Sequence, residues 1–268
     1  MEFREFACRD GRTDRDAIAR QLNGDTAGVI VQNPNFFGGV DDFTDVAEMA
    51  HKSGALLIMS FYPISLGILK TPGEMGADIT TGEGQCLGLP LSFGGPYLGL
   101  MATRREHVRK MPGRVVGRTK DRMGREGFVL TLQAREQHVR RAKATSNICT
   151  NESLCAIASL VYMTLLGKQG LVDVAKLCAA KGAYARKRLL AIPGVKARFN
   201  TPIFNEFVVD LPRPAADVVN QLIEHGFAAG FPLSRYYAGM ENSMLVAVTE
   251  KRTRNEIGML AETLESLL

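Results

Sequence analysis

Two short runs that are apolar throughout, separated by a segment of helical periodicity, constrain the fold of this 268-residue chain more than any other feature. Residues 27–31 and 55–59 have the composition of parallel strands that are covered on both faces, and residues 41–53 between them have the spacing of a helix. Strand, helix and strand in this order predict a right-handed crossover in a parallel sheet. With a third strand expected at 77–81, the sequence predicts an α/β fold with a mostly parallel sheet.

The second half of the chain has a different rhythm, in which short strands alternate with helices. Two helices are predicted first, at 152–166 and 171–190, separated by Gly167 and Gly170. Strands at 195–199, 204–211 and 244–249 and helices at 215–225 and 254–268 follow. We therefore expect a larger domain over 1–150, and linking helices with a small α+β domain over 151–268.

Composition excludes several classes of protein. The chain is 46% hydrophobic and 23% charged, has no apolar run of about 18 residues and begins without the apolar core of a signal peptide. We therefore expect a cytoplasmic chain outside the membrane. The cysteines are odd in number and scattered, with no Cys-x-x-Cys pair, which favours reduced thiols and no metal site. They are Cys8, Cys86, Cys149, Cys155 and Cys178.

The positive charge is concentrated in one stretch. Residues 104–143 hold 13 Lys and Arg against four Asp and Glu, a net +9, while the remainder of the chain is net −4. Such a field indicates an acidic partner, although a solvated surface that keeps the protein soluble is the alternative. Nucleic acid is not favoured, because Phe128 is the only aromatic residue in the stretch.

Glycine marks two further segments. Residues 82–99 contain six glycines and no lysine, which predicts an ordered loop and excludes a nucleotide-binding loop of the Walker type. Residues 113–127 alternate glycines with charges, as a long hairpin or extended loop does.

Six motifs, taken together and in order, carry a resemblance to a known family. They are Gln32-Asn33-Pro34-Asn35-Phe36-Phe37-Gly38, Gly82-Glu83-Gly84-Gln85, Ser92-Phe93-Gly94-Gly95-Pro96, Met111-Pro112-Gly113-Arg114, Gln133-Ala134-Arg135-Glu136-Gln137-His138 and Thr145-Ser146-Asn147-Ile148-Cys149-Thr150-Asn151. Over its whole length the chain resembles the α subunit of glycine decarboxylase, the P-protein of the glycine cleavage system.

This resemblance implies a fold-type-I pyridoxal-phosphate transferase fold. The family's large-domain sheet has more strands than the three predicted here, so the chain is expected to be the C-terminal portion, with an amino-terminal part missing. The family decarboxylates glycine and passes the aminomethyl group to the lipoyl arm of H-protein. The resemblance also implies a heterotetramer in which a homologous β subunit carries the lysine and the pyridoxal phosphate.

This chain lacks what the chemistry requires. It has no lysine between Lys70 and Lys110, the interval in which the resemblance places the Schiff-base residue. Tyr62 stands at a position where, by this resemblance, relatives tend to have an Asp. We therefore expect no catalytic or cofactor-binding residue on this chain, which becomes the scaffold half of the enzyme. Two alternatives stay open: an autonomous pyridoxal-phosphate enzyme that recruits Lys110 or Lys120, and a basic binding module without catalysis.

Two groups of residues are the functional candidates. Arg114, Arg118 and Arg122 are expected to dock H-protein, because family H-proteins are acidic. Arg235 lies where fold-type-I enzymes often hold a carboxylate-binding arginine. The full set expected to line an interface or the site is Gln32, Asn33, Asn35, Gln85, Ser92, Gly94, Gly95, Arg135, His138, Arg140, Asn147 and Arg235.

Overall fold

The elements follow the predicted order closely. A computed structural model describes residues 1–95, 97–144 and 152–268. The strands are β1 Cys8–Arg9, β2 Arg12–Thr13, β3 Gly28–Asn33, β4 Leu56–Phe61, β5 Ile79–Glu83, β6 Gly99–Thr103, β7 Val115–Lys120, β8 Glu126–Thr131, β9 Lys196–Ala197, β10 Glu206–Asp210, β11 Phe231–Pro232 and β12 Ser243–Ala247. The helices are α1 Arg15–Gln21, α2 Thr44–Lys52, α3 Gln137–Arg140, α4 Ser153–Leu189, α5 Ala215–Glu224 and α6 Arg254–Leu267.

The first half folds around a four-stranded sheet in the order β3-β4-β5-β6. The first three strands are parallel, which confirms the predicted parallel sheet. The sequence did not predict β6, a short antiparallel strand that pairs with β5. Helices α1 and α2 cover one face, where Val31, Leu57 and Met59 pack against Ile18 and Val46.

The opposite face of this sheet differs from expectation. Side chains alternate along a strand, so Ile30, Leu56 and Ile58 point away from α1 and α2. Leu56 and Ile58 are half-buried and Ile30 is 55% exposed. The prediction of strands covered on both faces is therefore wrong for the part of the chain that the structure describes.

The basic stretch contains the predicted hairpin. Strands β7 and β8 pair antiparallel as a two-stranded sheet, with Val116 opposite Leu130 and Arg118 opposite Phe128. All four of these side chains are exposed. The hairpin therefore exposes both apolar and basic side chains to solvent.

Helix α4 joins the two halves. It is broken at Gly167, which has φ 65° and ψ −177°, so the two predicted helices meet end to end at that glycine. Ala175 and Cys178 pack with Ile64 from the first half and Phe204 from the second.

By length and composition alone α4 could cross a membrane, and no other described helix could. The domain boundary at 150 remains a prediction.

The second half folds around an antiparallel four-stranded sheet in the order β11-β12-β10-β9. One face packs Phe207, Val209 and Val246 against α5 and α6. The other face packs Val208 and Leu245 in a separate apolar cluster. The predicted α+β domain is confirmed, with both faces of its sheet buried.

Candidate functional site at the carboxyl edge of the sheet

In open α/β sheets, ligands bind outside the carboxyl ends of the parallel strands. Here β3 ends at Asn33, β4 at Phe61 and β5 at Glu83. Asn35, Gln85, Ser92, Gly94 and Gly95, five of the twelve residues expected to line the site, lie in the loops that follow these ends, and Gln32 and Asn33 end β3. Their contacts show what this edge can hold.

The loop after β3 is fixed by its own amide side chains. Asn33 is buried, donates to the backbone carbonyl of Asp41 at 3.0 Å and accepts from its N–H at 3.1 Å. Asn35 donates to the Gly11 carbonyl at 2.7 Å and accepts from the N–H groups of Phe37 and Gly39. Both amides are therefore occupied in shaping the loop, while Gln32 is exposed at the end of β3.

The same loop touches the second half of the chain at Gly38. Gly38 has φ +83°, and a Cβ built on it would lie 1.9 Å from the backbone oxygen of Glu206. Only glycine fits this approach. The junction between the two sheets is thus held at van der Waals contact beside the carboxyl edge.

Tyr62, directly after β4, occupies the position of the expected carboxylate. Its ring lies 6.0 Å from that of Phe204 and packs in the apolar cluster that contains Cys86 and Leu87. Burial raises the pKa of Tyr62 well above its usual value, and the neighbouring Cys86, Cys178 and Glu250 act in the same direction. Tyr62 is therefore a neutral phenol.

Two thiols and two carboxyl groups complete the surroundings of Tyr62. Burial raises the pKa of Cys86 to about 11 and that of Cys178 to about 12, so both thiols stay protonated and unreactive at neutral pH. The Cys178 thiol lies 3.4 Å from the carboxylate of Glu250. Burial also raises the pKa of Glu206. Sequence reasoning missed Cys86, Glu206 and Glu250, because they are far apart in the chain.

The loop after β5 is also internally bonded. The Glu83 carboxylate accepts from the N–H groups of Gln85 and Leu98, each at 3.0 Å, and the Gln85 amide donates to the Leu89 carbonyl at 2.8 Å. Further along, Ser92 and Gly95 are half-buried and Gly94 is exposed. This segment supplies no amine at the carboxyl edge, because it contains no lysine.

Among the basic candidates in residues 104–143, the Arg135 side chain is largely buried and the others are exposed. Arg135 donates to the backbone carbonyls of Met111 and Gly113 and pairs with Glu136 at 3.3 Å, so it holds the base of the hairpin. The other basic candidates of this stretch are exposed: Arg114, Arg118, Arg122, His138 and Arg140. Arg118 forms an ion pair with Glu126. Asn147 lies outside the described residues.

Arg235 is exposed in the second half of the chain. Its guanidinium lies 5.3 Å from the centre of the Phe231 ring, and Tyr236 stacks on the same ring. The contact that the structure shows for the Arg235 guanidinium is therefore with an aromatic ring.

A buried carboxylate, Asp78, was also missed. It accepts from the His51 ring and from the Leu57 N–H, both at 2.8 Å, and pairs with Arg104 at 3.3 Å. An acidic residue within the otherwise apolar segment before β5 was the sequence signal that could have identified Asp78 as a buried carboxylate. Asp78 lies at the amino ends of the strands, so it ties α2, β4 and β6 together on the side away from the candidate site.

Comparison with known proteins decides the family. Residues 7–264 match the family described as glycine cleavage system P-protein. The chain belongs to this family. It is 55% identical over its full length to "Probable glycine dehydrogenase (decarboxylating) subunit 1" of Geotalea daltonii and 52% identical to the protein of that name from Moorella thermoacetica. It spans 61% and 60% of the length of these P-protein relatives.

Solved structures agree with this assignment. The chain superimposes with a TM-score of 0.91, at 44% identity, on a crystal structure of glycine decarboxylase (P-protein) in inhibitor-bound form, covering 97% of this chain and 58% of that one. A NifS-like protein from Rickettsia africae matches at 14% identity and TM-score 0.69, over 96% of this chain and 67% of that one. The latter shows the fold alone, which is the fold of fold-type-I pyridoxal-phosphate enzymes, as expected.

The carboxyl edge of this P-protein chain does not fit pyridoxal phosphate. A ring nitrogen needs a carboxylate at the end of its strand, and Tyr62 stands there as a neutral phenol packed against Phe204. The phosphate needs positive charge, and the groups that act on the pKa of Tyr62 are thiols and carboxyl groups. The ammonium group of Lys181, on α4 beside this cluster, donates to the backbone carbonyl of Glu250. The space is filled by apolar side chains of this chain itself.

Proposed function

We propose that this chain is the non-catalytic half of a glycine decarboxylase. The assembled enzyme converts glycine and the lipoyl-lysine of H-protein to aminomethyl-dihydrolipoyl H-protein and carbon dioxide. A homologous subunit that carries the Schiff-base lysine supplies the pyridoxal phosphate, in a cytoplasmic heterotetramer. The role of this chain is to support that subunit and to contribute to the docking of H-protein.

The observation that carries this proposal is the filled carboxyl edge. Decarboxylation requires an amine beside the cofactor and an electron sink. The loop after β5 has no lysine, and Lys181, which lies beside the Tyr62 cluster, is bonded to the Glu250 backbone carbonyl. The chain nevertheless matches the P-protein family over residues 7–264 and the P-protein fold over 97% of its length. A chain that retains the fold and fills the cofactor position is suited to scaffolding.

The competing proposal, an autonomous enzyme that recruits a lysine from elsewhere, is less well supported. Lys110 and Lys120 are both solvent-exposed, Lys110 at the end of a short 3-10 turn and Lys120 at the end of β7. A Schiff-base lysine is normally desolvated so that its pKa falls. Exposed lysines on a hairpin and its flank do not meet that requirement.

Spectroscopy separates the two proposals. Pyridoxal phosphate added to the purified chain is expected to give only the spectrum of free cofactor. Appearance of the band of lysine-bound cofactor, lost in Lys110→Ala or Lys120→Ala, would establish the autonomous enzyme instead. Lys70→Ala provides the matched control, since Lys70 is also exposed but lies outside the basic stretch.

The hairpin is the proposed contact for H-protein. Arg114, Arg118 and Arg122 are exposed on β7 and its flanks, within the stretch of net +9. Reversing these three charges to Glu is expected to raise the apparent KM for H-protein at low salt, with the difference shrinking as ionic strength rises. Arg9→Glu, exposed outside the stretch, serves as control, and an unchanged KM at low salt would remove the docking role.

A further inference from the structure

Three side chains that can bind a metal ion meet at the amino-terminal edge of the first sheet, on the side away from Tyr62. Asp78 lies directly before β5, and Glu106 and His107 lie in the 3-10 helix Arg105–Lys110 that follows β6. A carboxylate oxygen or ring nitrogen of each lies within 4.8 Å of those of the other two. A metal site was not expected from the sequence, because Asp78 is far from the other two residues in the chain.

The His107 ring supplies the observation that points to a ligand. Its Nε2 atom is buried and has no hydrogen-bond partner among the described residues. It lies 3.8 Å from a carboxylate oxygen of Glu106, which is too long for a hydrogen bond. A buried polar atom without a partner costs free energy, and the imidazole nitrogen is a common metal ligand. A cation between His107 and the two carboxylates satisfies this nitrogen.

Asp78 has the features of a ligand that other groups hold in place. Its side chain is 4% exposed, and its Oδ2 atom accepts from the His51 ring and the Leu57 N–H, each at 2.8 Å. Carboxylates that bind metal ions are themselves hydrogen-bonded by outer groups, which orient them. The Oδ1 atom pairs with the Arg104 guanidinium at 3.3 Å. Because Oδ2 is occupied, Oδ1 is the oxygen left to contact a metal ion.

Arg104 sets the charge balance of this cluster. Its guanidinium donates to the backbone carbonyls of Gly76 at 2.7 Å and Ala77 at 3.3 Å, so its hydrogen bonds go to the loop before β5. The two carboxylates outnumber this guanidinium, and the cluster therefore still attracts a cation. Arg104 competes with that cation for Asp78, so we expect a lower affinity than that of a closed zinc site with four protein ligands.

We propose that Asp78, Glu106 and His107 bind a divalent transition-metal ion, and that Zn²⁺ fits them best. Carboxylate oxygen and imidazole nitrogen are both ligands of Zn²⁺, whereas Mg²⁺ and Ca²⁺ prefer oxygen alone. Two ligand atoms of one Zn²⁺ are at most about 4.4 Å apart, since each bond is about 2.0–2.2 Å long. The side chains must therefore close slightly around the ion, and the Glu106 side chain, which is 66% exposed, has room to do so.

The bound ion fastens the start of the basic stretch to the sheet. Two of its ligands lie near the beginning of residues 104–143, whereas Asp78 is hydrogen-bonded to α2 and β4. The cross-link restrains residues 105–110, which lead into the hairpin. This role concerns the stability of the chain and is independent of glycine decarboxylation.

Titration of the metal-free 268-residue chain with Zn²⁺, and with Co²⁺ as a spectroscopic probe, tests the site. We expect one ion per chain and slower amide hydrogen exchange in residues 105–110 when Zn²⁺ is bound. His107→Ala is expected to raise Kd for Zn²⁺ about tenfold or more, because it removes one of three ligands. His225→Ala, which removes an exposed ring directly after α5, is the matched control and should leave Kd unchanged. Asp78 is left intact because it also ties three elements together.

Several outcomes would overturn the proposal. These are a wild-type chain that binds no Zn²⁺, the same Kd for His107→Ala as for wild type, and near-ultraviolet absorption of the Co²⁺ complex that shows cysteine ligation. Displacement of Zn²⁺ by equal Mg²⁺ would show a cluster of carboxylates without an imidazole ligand. If His107→Ala does not fold, Glu106→Gln takes its place, and an unchanged Kd in that variant refutes the site. None of these readouts involves glycine turnover, so their failure is distinct from failure of the proposed function.

Discussion

The two four-stranded sheets of this chain are completed to different degrees. The antiparallel sheet of the second half is buried on both faces, with Val209 in the cluster beneath α5 and α6 and Val208 in the cluster on the other side. The sheet of the first half is buried on one face, with Leu57 inside and Leu56 half exposed. The second sheet is therefore covered on both faces, in part by Phe37 from the first half, whereas the outer face of the first sheet is partly exposed.

The largest expected effect comes from truncations on opposite faces of one strand. Leu57→Ala should lower the free energy of unfolding by about 2–5 kcal/mol, because it leaves a cavity in a packed core. Leu56→Ala should lower it by less than about 1 kcal/mol, because its side chain is already partly in water. Urea denaturation of both variants measures the difference.

The closed sheet provides the control for this pair. Val208→Ala and Val209→Ala should each lower the free energy of unfolding by about 2 kcal/mol, since each valine is buried on its own face. Equal losses for Leu56 and Leu57 would contradict the contrast between the sheets.

The junction between the two sheets gives the next largest effect. Gly38→Ala is expected to cost about 2–4 kcal/mol, since the new Cβ meets the Glu206 backbone in a left-handed conformation. Gly54→Ala, also at positive φ but in open space, should cost about 1 kcal/mol. Gly73→Ala, in open space without positive φ, should lie within about 0.5 kcal/mol of wild type. Equal losses at Gly38 and Gly54 would show that the two halves do not meet there.

The smallest effect concerns Glu206, whose carboxyl lies at this junction. Burial raises its pKa in the folded state, so folded protein holds that proton more tightly than unfolded protein. The wild type therefore loses stability as pH rises through the folded pKa, and this loss is absent below the unfolded value of about 4.3. Glu206→Gln should be the more stable protein at pH 8, with the difference vanishing near about pH 4.

Urea titrations at several pH values measure this trend. Glu224→Gln, which alters an exposed carboxyl on α5, is the control and should differ from wild type by the same small amount at every pH. A Glu206→Gln difference that does not vary with pH would show that Glu206 is hydrated in the folded protein.

Much of the fold was predictable from local pattern. The apolar runs at β3 and β4, the breaking glycine at Gly167 and the alternation after Val195 are local signals, and the structure confirms each of them. Strand β6 was missed because five residues between a glycine-rich loop and a basic segment show too little periodicity. The partly exposed outer face of the first sheet was missed because an apolar strand sequence predicts burial but does not identify the residues that bury the strand.

The candidate site was predictable only in part. The missing lysine and Tyr62 are visible in sequence, since they concern single positions in matched motifs. The cluster of Cys86, Cys178, Glu206 and Glu250 around Tyr62 comes from four separate segments of the chain and required the tertiary structure. The roles of Asn33 and Asn35 in holding their own loop likewise depend on contacts with Asp41 and Gly11.

The central claim is that this P-protein chain cannot carry out decarboxylation by itself. The most direct test is glycine-dependent exchange of carbon dioxide, measured with pyridoxal phosphate and H-protein for the purified chain and for its complex with a lysine-bearing homologous subunit. We predict exchange only in the complex, and its loss when the partner's Schiff-base lysine is replaced by alanine. Exchange by the purified chain, or exchange that survives that replacement, would contradict the account.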